Sequence, residues 1–380
     1  MMRQALLLAA LAAAAVPCRG ADALSGAQDQ ADAAVQTARS SRASKPMEGA
    51  DLARADHVET SPGRSGRLAV RIRFEQGSRF LPVPNLVFRA VGASQPAAAT
   101  DAAGETSFDG CSSGDSIEAA AELGGDYFKI RPLLARRISV RGACGTDVTL
   151  SFARANPAAS ALRVWRVAGL AKSKLDAEVG ASAWPQGVVF DVFSGAATTG
   201  ERVGIGGDDT TFVVGHELGH AVSDHAGMIQ QGFGDSYHQM TACIGDSAAL
   251  EEGWASFFGA WADQGPDAPD PIQEWDQRSF ATRRLPIKTV PDEVEIGPRD
   301  HPQIAQVCRG TDNEMRVMSF LWNVVAADGA HASFGTLWRA LAGGRLTSVS
   351  QVALNLQKLG VDATALRRIW DAAFKTPPPL

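Results

Sequence analysis

Nowhere in these 380 residues is there a run of the roughly 20 apolar residues that a membrane-spanning helix needs. No span is therefore expected. Basic residues are not in excess either: 36 Lys and Arg stand against 42 Asp and Glu, for a net charge of −6 and a pI near 5.7. That balance gives no electrostatic reason to expect nucleic acid as a partner. Tyrosine is scarce, with Tyr127 and Tyr237 the only two. Yet 45% of the residues are apolar and 21% charged, the balance of a globular protein. Single cores stop growing well before this length, so two domains are expected.

The first 23 residues combine Arg3, an apolar run over 5–16 and the small-x-small tripeptide Ala21-Asp22-Ala23. This is the three-part pattern of a secretory signal peptide, and it predicts a secreted or periplasmic protein. Val16-Pro17 ahead of Cys18 makes a poor lipobox, which argues against a lipid anchor there. Removing the signal leaves Cys111, Cys144, Cys243 and Cys308, an even set in an exported chain. Pairing Cys111 with Cys144 and Cys243 with Cys308 is the simplest connectivity, because each pair then lies within one domain.

Residues 24–64 are rich in Ala, Ser, Asp and Arg and carry almost no large apolar side chain. Such a stretch cannot bury enough surface to offset its chain entropy, and reads as a linker or a pro-segment. Over 65–155 the pattern changes to short alternating runs at 68–74, 85–91, 116–122, 137–141 and 147–152, separated by Gly, Pro and Asp. Period-2 alternation predicts half-buried antiparallel strands, hence a small β-sandwich. The piece TDAAGETSF at 100–108 is similar to the Asp-x-x-Gly-x-x-x-Phe hairpin of carboxypeptidase-regulatory-like and immunoglobulin-like modules. A structural role for this domain is favoured over a binding role, since fold alone assigns no function.

From 156 to 380 the segments lengthen into a mostly helical domain, an α+β chain overall. A helix is expected over 161–171, strands over 187–193 and 202–206, and amphipathic helices over 334–341, 348–358 and 363–374, with Trp338 and Trp370 in the core. Asp209 or Thr210 is placed to cap the helix that follows. A strand beside that helix offers an edge to an extended peptide.

That helix carries VVGHELGHAV at 213–222. At 100° per residue, His216 and His220 are about 40° apart on the wheel and share one face, so both can ligate one ion. Glu217 lies beside them, where it can take a proton from a metal-bound water. Val214, Leu218, Ala221 and Val222 form the opposite, apolar face. Gly219 weakens the helix interior and asks for a packing reason, such as the close approach of another backbone. The metzincin extension is missing, because Ser223 and Ala226 stand where Gly and His would be needed; His225 faces away from His216. A carboxylate must then complete the site, and AALEEGWASFFGAW at 248–261 offers Glu251 and Glu252. Leu250, Trp254, Phe257, Phe258 and Trp261 make an apolar stripe. Glu252 lies almost opposite, among Ala248, Ala255, Ser256 and Gly259. These small neighbours permit close approach and favour Glu252 over Glu251.

Glu252-Gly253-Trp254-Ala255, together with the HExxH helix, resembles the Glu-Gly-Phe/Trp-Ala signature of gluzincin-type zincin metallopeptidases. The resemblance covers the two helices and implies Zn2+ held by His216, His220 and Glu252, with Glu217 as the general base of a peptide hydrolase. Two departures stand out. Ser256 occupies the place of the aspartate that orients the first histidine in thermolysin-like members, and the Gly-x-Met-Glu-Asn motif of aminopeptidases is absent, which points to an endopeptidase. Tyr237, His238, His301 and Arg309 are the candidate donors to the oxyanion. The helix expected from 312 to 322 resembles the one that follows the substrate-side histidine in thermolysin-like enzymes, without that histidine. The expected partner is a peptide or protein substrate. The competing reading is an exported binding or adhesion protein in which the zincin-like domain is structural or inactive; an intact Glu217 speaks against it. Nothing in the sequence sets the oligomeric state.

Overall fold

Along residues 67–76 buried side chains alternate with half-buried and exposed ones, as in a strand with one face in a core. The structure is a computed structural model that describes residues 52–380 except 92–96, 124–125, 132–136, 193–195, 208, 231–239, 266–267, 269–270, 276–283, 297–300 and 343. The expected signal peptide lies outside the described residues, as do Tyr237 and His238.

The first part is rich in strands: β1 (Leu52–Ala53), β2 (His57–Pro62), β3 (Arg67–Gln76), β4 (Arg79–Pro82), β5 (Val87–Ala90), β6 (Ala98–Ala99), β7 (Glu105–Asp109), β8 (Ser116–Glu122), β9 (Phe128–Arg131), β10 (Arg137–Ala143) and β11 (Thr146–Phe152). One sheet has the order β1-β10-β8-β5-β6; a second runs β2-β11-β3-β4, with β7 also on β3. Gly142 of β10 brings the two together, since a Cβ there would lie 2.5 Å from Leu68 of β3 and 3.0 Å from Val148 of β11. A tight turn forms at the place of the hairpin expected at 100–108, but the flanking strands do not pair with each other: β6 joins β5 in one sheet and β7 joins β3 in the other. Asp101 Oδ1 accepts from the amides of Ala103 and Glu105, and Gly104 (φ 73°) passes so close to Ile72 O that a side chain there would collide. Asn85 has φ 61°, so the strand expected from 85 begins only at Val87.

Two expectations change here. Residues 24–64 are expected to be a linker or a pro-segment, and within them β2 pairs along the length of β11. All six of its residues are exposed, so backbone pairing rather than side-chain burial holds it, and composition carries no sign of that. The expected domain boundary at 155 falls between β11 and the first helix, but β9, from ahead of it, pairs in parallel with β12 (Val188–Val192) beyond it. The described residues, all from 52 onward, belong to one compact unit.

The second part contains α1 (Pro157–Glu178), β12, β13 (Ala197–Thr199), β14 (Arg202–Ile205), α2 (Thr211–Ala226) and α3 (Asp246–Gln264). Two small hairpins follow, β15 (Ile272–Glu274) with β16 (Arg284–Pro286), and β17 (Glu293–Ile296) with β18 (Gln303–Gln306). The chain ends with α4 (Glu314–Val325), α5 (Phe334–Leu341), α6 (Val349–Lys358) and α7 (Ala363–Ala373). Asn156 caps α1, with proline in its first turn. The third sheet has the order β13-β14-β12-β9, so the strand expected at 202–206 lies inside it, and β13 and β9 are its two edges among the described residues.

The aromatic stripe of α3 is buried as expected. Trp261 stacks on Phe334 at 3.8 Å, and Trp254 packs edge-on to Trp338. Trp338 and Trp370 are both buried. At the far end of α3, Lys174 of α1 donates to the carbonyls of Trp261, which also accepts from Gly265 N, and of Ala262. Burial pulls that ammonium down to about 8, against the pull of Asp263. Both disulfides join the expected cysteines: Cys111 to Cys144 across a Cα distance of 5.9 Å, and Cys243 to Cys308 across 5.5 Å. Among the described residues, no helix is long and apolar enough to cross a membrane.

Candidate metal centre

Thr210 sits in extended conformation ahead of α2, and its hydroxyl accepts from Val213 N at 3.3 Å, so of the two expected caps it is the one that binds the helix. The strand-rich part adds a second contact: Gln76 Oε1, at the end of β3, accepts from Thr211 N at 2.8 Å. These contacts fix the start of the helix. His216 and Glu217 are then buried, at 2% and 6% exposure.

The sequence expected α3 to approach closely through its small residues, and it does. A Cβ on Gly215 would lie 2.7 Å from Gly259 Cα, and one on Gly219 would lie 2.9 Å from Ala255 Cα. The small residues at 215, 219, 255 and 259 therefore set the distance between the helices. Trp254 Nε1 donates to Gly219 O at 3.0 Å and adds a directional contact.

This approach brings together three atoms that could hold a metal ion. His216 Nε2 lies 3.2 Å from His220 Nε2 and 3.2 Å from Glu252 Oε2, and His220 Nε2 lies 3.3 Å from the same oxygen. A tetrahedral zinc at about 2.0 Å from each ligand needs its ligands about 3.3 Å apart, so the donor set fits that ion in both type and spacing. Glu251, the alternative carboxylate, instead faces the other nitrogen of His220, at 3.8 Å. His216 Nδ1 lies 3.0 Å from Ser256 Oγ, so this serine hydroxyl stands against the second ring nitrogen of His216. Burial alone would lower the pKa of His220, but Glu252, with Glu217 and Glu251, overrides it and raises the imidazole from 6.5 to about 9.

No protein-family model matches this chain, and no curated protein matches its sequence. The chemistry must therefore be read from the side chains themselves.

Glu217 is adjacent to the triangle and holds a partner that sequence did not indicate. Thr198 Oγ1, on β13, lies 2.9 Å from Glu217 Oε2 and 2.9 Å from Glu217 O. A strand of only Ala, Thr and Thr has no apolar signature, and nothing in the sequence sets its register on β14. Trp275 is the other unforeseen neighbour, packing edge-on to Phe212 at 4.9 Å and to His216 at 5.7 Å. Of the donors considered for an oxyanion, His301 is exposed and Arg309 pairs with Asp292 at 3.5 Å. The geometry assigns neither of them to the site. A second group of potential ligands, Cys243, Cys308 and Asp312, has both sulfurs in a disulfide and so offers no thiolate.

Proposed function

We propose that this chain is a secreted or periplasmic zinc-dependent endopeptidase of gluzincin type, acting on peptide or protein substrates. The observation that carries the reading is the triangle of His216 Nε2, His220 Nε2 and Glu252 Oε2, with sides of 3.2 to 3.3 Å, beside a buried Glu217. Zinc held there would supply Lewis acidity, lowering the pKa of a coordinated water to about 7 and polarising the scissile carbonyl. The protein's own groups do the rest. Ser256 would keep the His216 ring turned so that Nε2 stays on the side of Glu252 Oε2, available to the ion. Glu217 takes a proton from the attacking water as its oxygen bonds to the carbonyl carbon. It returns that proton to the amine nitrogen as the C–N bond breaks. Two disulfides fit export to an oxidising compartment, and the two paired sheets of the first part fit a β-sandwich that packs on the zincin-like part.

The test combines metal analysis of the purified protein with a chelator-sensitive assay on a denatured protein substrate. Stoichiometric zinc and chelator-sensitive cleavage are expected. Glu217→Gln should keep the zinc and lose turnover by about 10²- to 10⁴-fold. Near-normal cleavage by that variant would remove Glu217 from its role, and a protein that takes up no zinc would end the reading altogether.

A further inference from the structure

A buried glutamate has three side-chain torsions and, without a partner, visits several rotamers, only some of which aim its carboxylate at a given point. In this chain one hydroxyl removes that freedom. β13 pairs with β14 in antiparallel register, Thr198 opposite Val203, and this turns Thr198 inward while Ala197 and Thr199 are exposed. Its Oγ1 then lies 2.9 Å from both the carboxylate oxygen Oε2 and the main-chain oxygen of Glu217. Both partners are acceptors, so the single hydroxyl proton is shared between them. The carboxylate is held at a fixed place relative to its own helix turn. The contact also joins an edge strand of the third sheet to α2.

We infer that Thr198 is a positioning residue that holds Glu217 in the rotamer in which it acts as base. This rests on the reading of Glu217 given above. Orientation of a reacting group is worth one to two orders of magnitude when it is lost through a displacement of about 1 Å. Neither Ala197 nor Thr199, exposed on the same strand, can substitute for the hydroxyl.

The experiment uses the full-length zinc-loaded protein with Thr198→Val, which keeps the shape and removes the hydroxyl, Thr198→Ser, which keeps the hydroxyl, and Thr198→Val combined with Glu217→Gln. Thr198→Val is expected to lower kcat about 10- to 100-fold with KM and zinc content unchanged. Thr198→Ser should recover most of the loss. The double variant should be no slower than Glu217→Gln alone, because the hydroxyl acts only through that carboxylate. Wild-type kcat in Thr198→Val overturns the inference, as do equal losses in the Val and Ser variants or an effect confined to KM. If the wild-type protein binds zinc but cleaves nothing, the proposed activity fails instead, and the Thr198 contact is then judged by crystallography. Wild-type crystals should show one Glu217 rotamer and Thr198→Val crystals several. A single unchanged rotamer in both overturns the inference independently of turnover.

Discussion

His216 and His220 present the same nitrogen to Glu252 but lean on different neighbours through the other one. His216 Nδ1 meets a neutral serine hydroxyl at 3.0 Å, while His220 Nδ1 faces the Glu251 carboxylate at 3.8 Å. The two adjacent glutamates therefore divide into one whose oxygen sits at the triangle and one whose oxygen stands behind a ligand. Removing them should have unequal effects. Glu252→Ala takes away one of the three proposed ligands and should abolish zinc binding at micromolar concentrations, whereas Glu251→Ala removes only an outer neighbour and should weaken it by about 10- to 100-fold. Competition with a chromogenic chelator measures both. If Glu251→Ala is the variant that loses the metal, the assignment of the third ligand is reversed.

At the scale of elements, the site depends on how closely two helices cross. Gly215 and Gly219 on α2 face Ala255 and Gly259 on α3, and at each point an added methyl would meet backbone rather than a movable side chain. Gly215→Ala should therefore push the helices apart, costing about 1–3 kcal/mol in thermal unfolding and lowering zinc affinity with it, since His216 and Glu252 are on opposite sides of the wedge. Unchanged melting temperature and zinc affinity would show that the helices can shift without disturbing the ligands. The signals that were legible in the sequence are of this kind. Gly219, the small strip around Glu252 and the apolar stripe of Leu250, Trp254 and Phe257 repeat at helical spacing and report directly on packing. What was not legible is short or held by backbone alone. β13 is three residues and β2 is exposed along its whole length, so neither has a side-chain period to read, and β9 alternates between buried and exposed over only four residues, too few to stand out. Thr198 was missed because its role follows from the register of one such strand.

At the scale of the whole molecule, a cut at 155 separates groups that the fold joins. β9 would be lost from the side of β12, the carbonyl oxygen of Gln76 from the amide of Thr211, and Phe74 and Phe152 from the buried cluster that also contains Leu162 and Val214. Each loss falls on the part that carries the proposed ligands. Leaving the Thr211 amide without its acceptor costs about 1–3 kcal/mol, and exposing several core side chains costs more, a large share of the 5–15 kcal/mol that holds an ordinary domain together. Residues 156–380 expressed alone should therefore show no cooperative unfolding transition and no zinc binding. Gln76→Leu in the full chain separates the local contact from general collapse: it removes the amide that reaches Thr211 and Glu274 while leaving β9 and the core in place. That variant should stay folded with a lower melting temperature and weaker zinc binding. A fragment that folds and binds zinc as well as the full chain would mean that the strand-rich part is an appendage, and that the contact at Gln76 contributes nothing to the helix that carries His216 and His220.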